Sequence, residues 1–214
     1  LDKAILLFLE NPNQATLKAT KKNWIAARKV YGITEAFRFY GGPIDGINKY
    51  GDEGPEGLIN AWPLNEAYID YVHGNSGSGI INNLSYTIDE KSIIASNMSE
   101  DDADVSTGWH AIEFLLWGQD SSLETAGTRK VQDYLPGDPF KERRRTYLKE
   151  VSSLLLEHIN WLNAQWSNTG QGRIAFLENT DPGGAILTGI ATLAGFELSS
   201  ERIAPALDSG DPED

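Results

Sequence analysis

Cysteine is absent from this 214-residue chain. Its absence excludes disulfides and thiolate metal sites alike and leaves the redox compartment open. Basic residues are in deficit: 18 Lys and Arg stand against 31 Asp and Glu, a formal net charge of −13 at pH 7. Self-repulsion of that size disfavours a phosphate backbone, which needs clustered Lys and Arg, so no nucleic-acid partner is expected. The densest basic run, Lys141-Glu142-Arg143-Arg144-Arg145, opens a long helical pattern and reads as a solvated helix face. A run of about 18 apolar residues is missing, which excludes a transmembrane helix. Missing too are a Gly-x-Ser-x-Gly elbow and a glycine-rich phosphate loop ahead of a helix, so acyl transfer by serine and nucleotide binding find no support. The chain carries no signal peptide; it opens in mid-pattern at Leu1-Asp2-Lys3 without an initiating Met and reads as a mature or trimmed product.

What remains is an ordinary globular composition, 40% hydrophobic and 23% charged, at a length that supports a core without staples. Helical periodicity dominates. Ala4 to Leu9 reads as the end of a helix and Ala15 to Tyr40 as a long one, ended by Gly41-Gly42-Pro43. Residues 44–63 form a Gly-rich loop, and Leu64 to Val72 returns to helix. Asp89 is placed to cap a short helix over Glu90 to Asn97. A further helix ends at Gly118, a second long loop covers Gln119 to Asp138, and the strongest amphipathic helix runs from Pro139 to Trp166. Arg173 to Glu178 is a short helix, and Ala185 to Leu207 a helix of small and apolar residues in which Gly189 and Gly195 admit close neighbours. The best strand signal, Ile80 to Tyr86, is weak. An all-α bundle with long loops follows, with one helical domain over residues 1–207 and a polar tail over 208–214.

The chemistry concentrates in Gly108-Trp109-His110-Ala111-Ile112-Glu113-Phe114-Leu115-Leu116-Trp117-Gly118-Gln119-Asp120. Three residues are about 300° of rotation and about 4.5 Å of rise, so His110 and Glu113 project from one face of an apolar helix. Such a pair is half of a metal site, an acid–base pair, or an internal structural contact. The zinc-protease pattern His-Glu-x-x-His is absent, because Ala111 follows His110 and Phe114 stands where a second histidine would be. A di-iron bundle would need two Glu-x-x-His helices and two further glutamates. Further ligands must therefore come from elsewhere. Glu35 and Arg38, three apart, suggest an ion pair, as do Glu197, Glu201 and Arg202; Asp45 suits a turn cap; Glu66 and Asp70, four apart, repel unless exposed or bridged. His73 and His158 read as structural.

Four blocks carry a resemblance. The Gly108–Asp120 stretch resembles the Gly-x-His-x-x-Glu region of imelysin-like proteins, peptidase family M75. Thr34 to Asp45, Asn60 to Tyr71 and Gly195 to Arg202 resemble three further blocks of that family in the same order. The branch it looks like is the iron-regulated protein A type. The resemblance implies an all-α fold of helical bundles and an exported protein, periplasmic or outer-membrane associated and often a lipoprotein, acting in iron uptake. It implies a metal ion, iron or zinc, or a small polar ligand held by His110 and Glu113, with Glu35, Arg38, Asp45 and Asp70 as candidate partners. It also implies iron-uptake membrane proteins as partners. The M75 label implies a metallopeptidase with Glu113 as ligand or base; a non-catalytic binding or scaffold module is the third alternative. Members run on past Asp214 into a second bundle, so a C-terminal half is expected to complete the site.

Overall fold

The computed structural model describes residues 1–51, 54–120, 122, 126–127 and 129–209. Most of the expected polar tail, from residue 210 on, lies outside the described residues, as do parts of the loops at 44–63 and 119–138. The fold is all-α, with no strand among the described residues. None of the described helices is long and apolar enough to cross a membrane. The chain divides into two compact units, Leu1–Arg28 with Leu58–Leu156, and Lys29–Gly57 with Glu157–Asp214.

The first unit begins with α1 (Asp2–Glu10) and the start of α2 (Gln14–Thr34). Leu17, Thr20 and Trp24 recur at helical spacing on one buried stripe of α2. Thr20 fixes the two helices by donating to the Ala4 carbonyl at 3.0 Å. The short helices α3 (Glu56–Ile59), α4 (Glu66–Ile69), α5 (Gly79–Asn82) and α6 (Glu90–Ser96) follow. Asp89 caps α6 as expected, accepting the Ser92 N–H at 2.8 Å. Next comes α7 (Gly108–Trp117), closed by Gly118 at φ 73°. The N-terminal part of α8 (Pro139–Gln165) completes the unit by burying Tyr147, Leu148, Val151, Leu154 and Leu155.

The weak strand signal at Ile80–Tyr86 forms no strand, in keeping with the all-α expectation; its start lies in the helical turn Gly79–Asn82. The basic run is not the solvated face expected. Arg143 donates to the carbonyls of Ile81, Ile80, Asn83 and Tyr86 at 2.7–2.9 Å, satisfying the open C-terminal end of α5. Arg144 is buried, and Arg145 donates to the Tyr134 carbonyl at 2.9 Å. The helix expected over Leu64–Val72 is also shorter, since only Glu66–Ile69 is helical.

In the second unit α2 ends at Thr34, six residues before the expected Tyr40, and passes into a 3₁₀ turn at Glu35–Phe37. Phe39 takes φ 65° and gives its N–H to the Asp45 carboxylate, which diverts the chain from the helix. The unit continues with α9 (Gln171–Glu178), α10 (Pro182–Thr192), a π-helical stretch Leu193–Ile203 and α11 (Ala204–Ser209). A Cβ on Gly189 would lie 2.1 Å from the Ala36 carbonyl oxygen, so its role in close approach holds; Gly195 faces open space and has none. Phe37, Trp166 and Phe176 form an edge-to-face cluster with centroids 5.2–6.1 Å apart.

His158 lies in this unit, 1% exposed, with its ring 5.1 Å from that of Tyr50. Burial pushes its pKa down, while Glu157 pulls weakly the other way. The folded state thus favours neutral imidazole. The associated stability is present above the ordinary value of 6.5 and fades as pH falls below it towards the lowered folded pKa. The melting temperature of the wild type is expected to fall more steeply between about pH 7.5 and about pH 5.5 than that of His158→Phe. Parallel thermal-melt curves for the two proteins would contradict this.

Candidate functional site

Helix α7 is buried almost all the way round: Gly108, Trp109, Ala111, Ile112, Phe114, Leu115 and Leu116 are all in the core. His110, Glu113 and Trp117 make up the one half-buried stripe. Helix placement is fixed at both ends. Trp24 Nε1 donates to the Trp109 carbonyl at 3.1 Å, and the Trp24 ring stands edge-on to Trp109 and Trp117. At the start, Gly108 adopts φ 83° directly against the Ile59 carbonyl, and Thr107 donates to the Leu58 carbonyl at 2.8 Å. The close backbone approach at Gly108 is thus to α3.

His110 Nδ1 lies 3.1 Å from Glu113 Oε2. An ionised carboxylate only accepts, so in a neutral imidazole bonded to it Nδ1–H is the donor and Nε2 carries the lone pair. The imidazole also lies against Trp62, with centroids 4.7 Å apart and planes at 58°. The His110 side chain is 15% exposed and that of Glu113 41%. One wall of the ring is thus indole, one edge carboxylate, and the other edge a free nitrogen. At the far end of the stripe Lys21 Nζ stands 5.0 Å over the Trp117 ring. Burial, and secondarily the charge of Arg129, lower its pKa.

The other candidates are drawn into two charge clusters. Asp70 is fully buried in the first unit. Arg144 grips it with Nε to Oδ2 at 2.6 Å and Nη2 to Oδ1 at 2.8 Å, and Arg129 Nη1 stands 3.0 Å from Oδ2. Of the Glu66 and Asp70 carboxylates read as a repelling pair in sequence, Asp70 is thus held by arginine. Burial works against the Arg144 charge, but the bonds to Asp70 prevail and raise its pKa above the ordinary value. Arg129 itself is sandwiched near Tyr71 and Phe114, 4.6 and 5.1 Å from their ring centroids.

Glu35 and Arg38 meet in the second unit at 3.8 Å, as their spacing suggested, within a larger network. Arg38 is also 3.2 Å from Glu56 and 3.6 Å from Glu197, and Arg202 joins Glu197 at 2.7 Å and Glu35 at 3.5 Å. Three carboxylates and two guanidinium groups nearly balance. Burial raises the Asp45 pKa, against the hydrogen bond from Phe39 and the charge of Arg38. The sequence did not single out Trp62, Arg129, Arg144 or Glu56. Trp62 lay within a resembled block, and Arg144 within the basic run; Arg129 carried no signal.

Among the described residues no group of three His, Asp or Glu side chains is arranged to hold a metal ion. At α7 the donors are one imidazole and one carboxylate, already bonded to each other. Their chemistry suits a cation, and their number is half a site. The family profile described as Peptidase_M75, Imelysin, matches residues 1–214, the whole chain. No curated protein gives a significant match.

Proposed function

The chain belongs to the imelysin family, and from that premise we propose that it is an exported binding protein of iron acquisition whose ligand is met by His110. The observation that carries the reading is the 3.1 Å contact between His110 Nδ1 and Glu113 Oε2. A carboxylate on one ring nitrogen fixes the tautomer, orients the ring and raises the basicity of the other nitrogen, the usual arrangement behind a ligating histidine. In this reading Nε2 contacts a metal ion, iron or zinc, or another polar ligand. Glu113 is a positioning residue rather than a second ligand, and Trp62 limits the ring's rotation. The remaining coordination positions are filled by groups other than the described side chains around α7.

Calorimetric titration with Zn²⁺ and, anaerobically, Fe²⁺ tests this on the wild type and on His110→Ala and Glu113→Gln. Affinity is expected to vanish in the first variant and to weaken about 10- to 100-fold in the second. Unchanged affinity in His110→Ala would sink the proposal. Peptide hydrolysis that is lost in Glu113→Gln and with a chelator would favour the metallopeptidase reading in its place.

A further inference from the structure

A cavity of about 330 Å³ lies within the second unit, between the loop after the 3₁₀ turn, the end of α8 and one face of α9. Its volume falls within the range of small-ligand sites. We infer that it is a binding site for a neutral, hydroxyl-rich ligand of the saccharide class, separate from His110 and independent of the function proposed for it.

Three properties of the lining lead there. The first is aromatic surface: Tyr40, Trp161 and Phe176 all border the cavity. Their rings are held from behind. Phe176 meets Tyr40 edge-on at 5.9 Å, and Trp161 meets Tyr50 edge-on at 5.0 Å with Lys49 Nζ 5.7 Å from its centroid. Half-buried rings fixed in this way offer flat apolar faces to the C–H faces of a sugar.

The second is unused hydrogen-bonding capacity. The side-chain amides of Gln165 and Gln171 both border the cavity, and neither makes a hydrogen bond among the described residues. Each offers a donor and an acceptor, as vicinal hydroxyls require. Beside them is the start of α9. Its N-cap, Gly170, lends no side chain, so the first-turn N–H groups of Gln171 and Gly172 have no intrahelical acceptor. By contrast Asn48, also on the wall, is fully engaged: it donates to the Pro43 and Gly46 carbonyls and accepts from Tyr50 N–H. It shapes the loop and leaves recognition to the two glutamines.

The third is the absence of charge. Among the described residues no Asp, Glu, Lys or Arg lines the cavity. Tyr40 stays protonated, because burial, reinforced by the nearby Asp45, pushes its pKa up to about 12. The chain carries a net charge of −13 and the cavity wall itself supplies no cation among the described residues, which disfavours an anion. A neutral polyol meets rings and amides without that cost.

Saturation-transfer NMR on the full chain tests the inference, using glucose, galactose, N-acetylglucosamine, maltose and cellobiose as probes, with inorganic phosphate and acetate as charged controls. At least one sugar is expected to bind in about the millimolar range. The Gln165→Ala/Gln171→Ala double variant should weaken it about tenfold, as two lost neutral hydrogen bonds would. Its melting curve should match the wild type, because neither amide holds the fold. The inference is overturned if no sugar gives transfer at about 10 mM, if sugar binding is unmoved by the double variant, or if only phosphate or acetate binds and the double variant abolishes it. His110→Ala should leave sugar binding intact, so failure here and failure of the metal titration are separate results.

Discussion

Replacing Gly108 by alanine is expected to lower the melting temperature by about 5–15 °C. Two costs add. At φ 83° an L side chain is strained, by about 1–2 kcal/mol. The new Cβ would also lie 2.4 Å from the Ile59 carbonyl oxygen, 2.7 Å from its carbon and 3.1 Å from the Leu58 oxygen. All three are backbone atoms, so no flexible side chain can swing aside, and overpacking of this kind costs about 1–3 kcal/mol more. The relief available is to push α7 away from α3, which would stretch the Thr107 bond to the Leu58 carbonyl and displace His110 two residues on. Gly195→Ala is the matched control, since its Cβ would meet nothing within 4 Å. Alanine suits a helical position better than glycine, so that variant should melt at or slightly above the wild type. Calorimetric melts of the two proteins decide it, and a Gly108→Ala shift within about 2 °C of zero would show that α7 is not held as described.

The contrast between these two glycines shows how far the sequence could be read. Both lie in resembled blocks, and for Gly195 the sequence suggested a close approach that the structure does not show. Only the structure separates them, because close approach depends on a partner elsewhere in the chain. Features written within one turn of helix were legible: the Asp89 cap, the ends of α7 and α8, and the facing of His110 and Glu113. Features that join distant segments were not. Asp70 and Arg144 are 74 residues apart, and nothing local distinguishes an arginine that enters the core from one that faces water. The hold of Arg143 on the end of α5 was hidden the same way, since it supplies the acceptors' partners from 57–63 residues away. Glu35 and Arg38 were read as a pair, whereas Glu56, Glu197 and Arg202 extend them into a network. The His110–Glu113 contact was legible as a pair of residue types; which ring nitrogen meets the carboxylate needed the rotamers.

Arg144→Met is expected to cost about 3–5 kcal/mol of stability, the usual penalty for removing one partner of a buried ion pair. Asp70 has no access to water, and the variant leaves its carboxylate with Arg129 and a 3.2 Å contact from Asn82 in place of the two short bonds from Arg144. The Arg144 bond to the Asp133 carbonyl at 3.0 Å is lost as well. Asp70→Asn alone should also destabilise strongly, because two buried guanidinium groups would then share one neutral amide. In the double variant the under-compensated carboxylate is gone and only Arg129 stays buried, with the Tyr71 and Phe114 rings beside it. The double variant should therefore be more stable than the sum of the two losses implies, by about 1–3 kcal/mol. Urea unfolding of the four proteins measures that coupling. A value below about 0.5 kcal/mol would mean that the two side chains act independently and that the core of the first unit does not depend on their pairing.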